Sequence, residues 1–148
     1  MNKTLSYRLF KIGRIPKKLR PALEKEGIVA CDEGIAGRVS LKNYSAPGKR
    51  SKYRMIWFSG FLAVTKTRLI AFSYWKPLIN VPFGNPRIHS IHIELDGPNR
   101  LALSFDASAF RPDASGEILV RFKTPKAQEL LAAIEKNIAD ATQSADAE

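Results

Sequence analysis

The sequence predicts a mainly β chain that ends in one α-helix, arranged as a small, partly open barrel of seven strands with the helix as its cap. Three observations carry that prediction. Tyr53 to Trp75 is dense in aromatic and β-branched residues and is interrupted at Thr65-Lys66-Thr67, which reads as two long strands and a turn. Downstream, short stretches alternate apolar and polar side chains between turn residues. From Thr124 onward the period changes, and Ala127, Leu130, Leu131, Ile134, Ile138 and Ala141 fall on one helical face.

The elements follow in order. Residues 1–27 form a basic N-terminal extension. Leu5, Leu9 and Ile12 make an apolar stripe there, while Pro16 and Pro21 forbid one continuous helix. Ala22 to Glu26 suits a short helical turn stopped by Gly27. The extension either lies on a membrane as an amphipathic arm or packs on the outer face of the central strands. Those strands are apolar on both faces and need a cover, which favours packing.

Ile28 to Cys31 is a short apolar run that Asp32-Glu33-Gly34 should end as a turn. The first barrel strand is expected over 35–42. Asn43 to Lys52 is polar, contains Pro-Gly and ends in charges, so it reads as an exposed loop. Further strands are expected over 53–64, 68–75, 78–83, 88–95, 100–106 and 117–123. Pro82 places its strand at an edge or a strand end. Thr124 can cap the helix and Pro125 suits its first position. The domain then spans 28–140, and 141–148 form a disordered tail with little to bury.

Composition narrows the function. The chain has 148 residues, enough for one domain, and 45% hydrophobic content, ordinary for a globular protein. Its net charge of +10 is concentrated in residues 1–55, with fourteen Lys/Arg against four Asp/Glu. That skew suggests an anionic partner. The single cysteine, Cys31, rules out an internal disulfide and points to a reducing cytoplasm. No stretch is long and apolar enough to span a bilayer as a helix, so the chain is expected to be soluble in the cytoplasm or at most bound at the inner membrane face.

The order of seven strands and one helix resembles the pleckstrin-homology-like barrel, including its bacterial and GRAM-type relatives. The most specific match is FLAVTKTRLIAFS, Phe61 to Ser73, which is similar to a Leu-x-Val/Ile-Thr-x-x-Arg-Leu-Ile hairpin of those relatives. Where eukaryotic members usually carry a tryptophan in the last helix, this chain has Leu130, Leu131 and Ile134. The resemblance implies a non-catalytic binding module. It also implies an anion site, because Lys42 followed by Lys52-Tyr53-Arg54 is similar to the basic pattern that phosphoinositide-binding members carry between their first two strands. Lys49 and Arg50 stand beside it. The candidate anion- or lipid-binding residues are therefore Lys42, Lys49, Arg50, Lys52 and Arg54. Phosphates need several convergent N–H donors, which an open basic loop can supply.

Two other partners are open. The apolar outer face of residues 53–75 could hold a protein or a second copy of the chain. Nucleic acid ranks last, since aromatic residues are not interleaved with the basic clusters. Nothing points to catalysis, a metal or a cofactor. His89 and His92, three apart on an expected strand, would leave opposite faces. Cys31 in an apolar run reads as a small buried thiol.

Overall fold

The computed structural model describes residues 14–74 and 76–146. The stripe of Leu5, Leu9 and Ile12 lies outside the described residues, as does Trp75. Seven antiparallel strands form one curled half-barrel. They are β1 (Ile28–Ala46), β2 (Lys49–Thr65), β3 (Arg68–Ser73), β4 (Lys76–Pro82), β5 (His92–Leu95), β6 (Arg100–Asp106) and β7 (Ser115–Lys123). The order across the sheet is β4-β3-β2-β1-β7-β6-β5. Among the described residues two α-helices accompany it, α1 (Arg20–Glu26) and α2 (Ala127–Asp146).

The alternation in the sequence sorts side chains to two faces. Inside the curl, Ile35, Val39, Phe58, Leu62, Leu69, Leu101, Leu103, Val120 and Phe122 pack with Ala127, Leu130 and Ile134 of α2. On the outer face, Phe61, Ala63 and Ile70 pack against Ile15 and Leu23. The described part of the N-terminal extension is thus the cover that the two-sided apolar strands required.

Polar contacts lock that cover. Glu33 accepts from the Ile15 backbone N–H at 2.8 Å and from the Arg20 guanidinium at 2.9 Å. Glu26 accepts from Arg68 Nη2 at 2.6 Å and from the Thr67 hydroxyl at 2.6 Å. Thr65, the motif's threonine, also donates to Glu26 at 3.2 Å, so the Thr and Arg of the hairpin motif both anchor α1. At the other helix, Thr124 accepts from the Lys126 backbone N–H at 3.1 Å and donates to buried Asp32 at 2.6 Å. The expected cap is present and also ties α2 to β1.

Four expectations are corrected. Asp32-Glu33-Gly34 does not end a strand: β1 continues through it, with a register shift between Glu33 and Ile35 and Gly34 at φ 68°. Glycine takes that left-handed geometry freely, so a bulge replaces the turn. Asn43 to Lys52 is no loop. Ala46 pairs with Lys49, leaving Pro47-Gly48 as a two-residue turn. Residues 86–90 form a 3₁₀ turn capped by Asn85, so the strand expected over 88–95 shrinks to β5. The helix continues through residues 141–146, where an unstructured tail was expected. Ala141 there still packs against the core.

Candidate functional site

The curl is closed at one end and open at the other. At the Thr65 end, Asn137 of α2 donates to the Thr65 carbonyl at 2.7 Å, and Lys126 donates to the Cys31 carbonyl at 3.1 Å. At the Pro47-Gly48 end no α-helix among the described residues closes the curl, and a cavity of about 600 Å³ opens there. Buried Val39, Phe105 and Val120 make its floor. Leu41, Leu78, Phe110 and Ile118, each only partly buried, make its walls with Ile56, which is 37% exposed. The Phe105 and Phe110 rings meet edge to face at 5.0 Å and stiffen one side.

The lip of this cavity is basic. Lys49, Arg50, Arg54 and Arg111 all line it, with Tyr44 and Ser51. The hairpin geometry gathers them. Gly48 turns the chain at φ 78°, and Asn43 at φ 54° marks a register shift between β1 and β7. Gly116 passes Asn43 so closely that a Cβ would lie 2.6 Å from the Asn43 carbonyl oxygen. Among the described residues no acid pairs with Lys49, Arg50 or Arg54. Arg111 holds Asp113 at 3.3 Å. Exposed guanidinium and ammonium groups at the mouth of a low-dielectric cup attract an anion more strongly than they would on a flat surface.

Of the five residues singled out from the sequence, Lys49, Arg50 and Arg54 converge on this cavity. Lys52 does not line it; it borders a shallow groove on the hairpin flank with Asn43, Ser45 and Arg50, the last of which touches both recesses. Lys42, in register with Tyr53 and Glu117, alternates with the cavity-lining Leu41 and so leaves the opposite face. Arg111 was missed. It comes from the polar segment before β7, far from the hairpin in sequence, and only the curl brings it to the lip. No local pattern marks it.

A second cluster sits on the outer face. Trp57 is 64% exposed, with the Arg38 guanidinium 5.5 Å from its ring centre. Arg100, Arg121 and Lys123 share a shallow groove with this pair, and Asp96 neutralises Arg121 at 2.9 Å.

No protein-family model and no curated protein matches this sequence. The remaining reactive groups have structural settings. Cys31 is half-buried against α1, and burial pushes its thiol above the ordinary value, against the pull of the Lys126 charge. His89 is exposed in the 3₁₀ turn and lies off the strand expected to carry it. Among the described residues, no three His, Cys, Asp or Glu side chains gather as a metal site. No helix there is long and apolar enough to cross a membrane.

Proposed function

We propose that this chain is a non-catalytic binding module of pleckstrin-homology-like type, recognising an anionic headgroup or phosphorylated ligand at the open end of its half-barrel. One observation carries the proposal: Lys49, Arg50 and Arg54 reach a single concavity with no acidic partner among the described residues. The curled sheet of seven antiparallel strands, with a helix after the last of them, supports this reading. Co-sedimentation with vesicles rich in anionic phospholipid tests it. Each cation near such a surface contributes ~1 kcal/mol, so the Lys49→Ala, Arg50→Ala, Arg54→Ala triple variant should lose on the order of a hundredfold in partitioning. Lys42→Ala should lose far less. Equal partitioning of wild type and triple variant would end the proposal.

A second reading, assembly through the outer face of residues 53–75, is narrowed by the fold. Phe61, Ala63, Ile70 and Phe72 lie beneath the N-terminal segment. What remains is Trp57 with Arg38, beside Tyr53 at 59% and Tyr74 at 41% exposure. Tryptophan, tyrosine and arginine are the residues that dominate protein interfaces. Sedimentation at micromolar concentration should show self-association that Trp57→Ser abolishes. A monomer throughout would remove this reading.

A further inference from the structure

We propose that the ligand of the open end is a single-chain anionic amphiphile, with its head on the basic lip and its hydrocarbon chain in the cavity. The proposal rests on the reading that the lip takes an anion, and adds what lies behind it. A site built for a polar headgroup alone would need hydrogen-bonding groups on its floor. Here the floor is Val39, Phe105 and Val120, and the walls include Leu41, Ile56 and Ile118. A sugar or inositol ring pushed onto these side chains would lose its water hydrogen bonds without replacement.

A flat bilayer surface meets the lip but leaves the recess behind it wet. A chain that enters the recess removes water from side chains that the fold itself leaves partly exposed. The volume of about 600 Å³ falls within the roughly 300–1,000 Å³ of small-molecule sites. Charge is complementary to the same arrangement: apolar inside, cationic at the mouth. The head can be a fatty carboxylate or the phosphate monoester of a single-chain lipid, since both offer oxygens to Arg50 and Arg54.

Calorimetry on the whole chain tests this, with octyl, decyl and dodecyl carboxylates and phosphates held below their micelle concentrations. Inorganic phosphate and an uncharged alkyl glycoside are the controls. Affinity should rise about fourfold per methylene until the cavity is full. Inorganic phosphate should bind weakly, and the glycoside should bind more weakly than either anion of equal chain length. The stronger of the two anionic series identifies the head. Ile56→Trp, at a half-exposed wall position, should flatten the chain-length dependence, and Leu78→Trp is a second variant to the same end. Arg50→Glu with Arg54→Glu should weaken every chain length alike.

Affinity independent of chain length in the wild type would overturn the amphiphile. If charge reversal at the lip still abolished vesicle binding in that case, the anion reading would survive without it. If neither effect appeared, both would fall.

Discussion

The two ends of the β1–β2 ladder use the same strands and are finished in opposite ways. At the Ile28–Thr65 end, α1 covers the outer face and α2 the inner one, and charged groups find partners: Glu26 with Arg68, Glu33 with Arg20. At the Ala46–Lys49 end the hairpin carries Lys49, Arg50 and Arg54 with no acidic partner among the described residues, above apolar walls that stay partly wet. The difference teaches where interaction capacity has been left over. A closed end consumes its hydrogen bonds and apolar area in holding the fold, whereas an open end keeps both for a ligand. Substitutions should therefore divide cleanly, with stability reading out one end and binding the other.

The largest effect is expected at the closed end. Leu130→Ala or Ile134→Ala removes a fully buried side chain from the α2–sheet core and should cost about 2–5 kcal/mol in denaturant unfolding. Affinity at the lip should be unchanged in the protein that remains folded. A loss of similar size from a wall residue at the open end would erase the contrast.

Next comes the α1 anchor. The side-chain hydrogen bond from Arg68 does most to hold the Glu26 carboxyl below its ordinary value. Partial burial opposes it, while Thr67, the Arg68 charge and Thr65 add to the lowering. A carboxyl lowered on folding stabilises fully above its unfolded pKa, and that stability is lost as pH falls through the folded value. Stability should thus decline on the acid side of the usual carboxylate range, and Glu26→Gln should flatten that decline. At neutral pH, Glu26→Ala should cost about 1.5–3 kcal/mol, the worth of hydrogen bonds to a charged group.

Smaller effects are expected at the open end. Ile56→Ser should cost less than about 1 kcal/mol, because the side chain is already 37% exposed. Arg50→Ala and Arg54→Ala should each shift stability by no more than about 0.5 kcal/mol while weakening anion binding. The same cations have a second duty. Between Lys49 and Ile56, β2 has no strand partner on its β3 side among the described residues. Charged side chains guard such an edge against strand-on-strand association. Replacing Lys49, Arg50, Lys52 and Arg54 together with Ser should therefore raise self-association, seen as a larger sedimentation coefficient.

Much of the closed end was legible in the sequence, and little of the open end was. Alternation placed Ile35, Leu101 and Leu103 inward, and the apolar stripe of α2 named its core residues, because burial repeats with the period of each element. The two-sided apolar character of Phe61 to Phe72 announced a cover. The hairpin was misread for a physical reason. Beyond the sheet core β1 and β2 run on as a solvated ladder, so Asn43 to Lys52 is polar on both faces and loses the period-two pattern. Gly34 was read as a turn because a bulge and a turn make the same demand for positive φ. Arg111 joins the lip only through the closeness of the β7 approach to the hairpin, a tertiary fact with no local trace.

The measurement that bears most directly on the account is an amide chemical-shift map of the isotope-labelled chain, titrated with decyl phosphate below its micelle concentration. The account predicts saturable shifts along residues 39–56 and 105–120, with α1 and Thr65 to Arg68 silent. Shifts confined to the Trp57 face or to the α1 anchor, with Leu41, Ile56 and Ile118 unmoved, would contradict it.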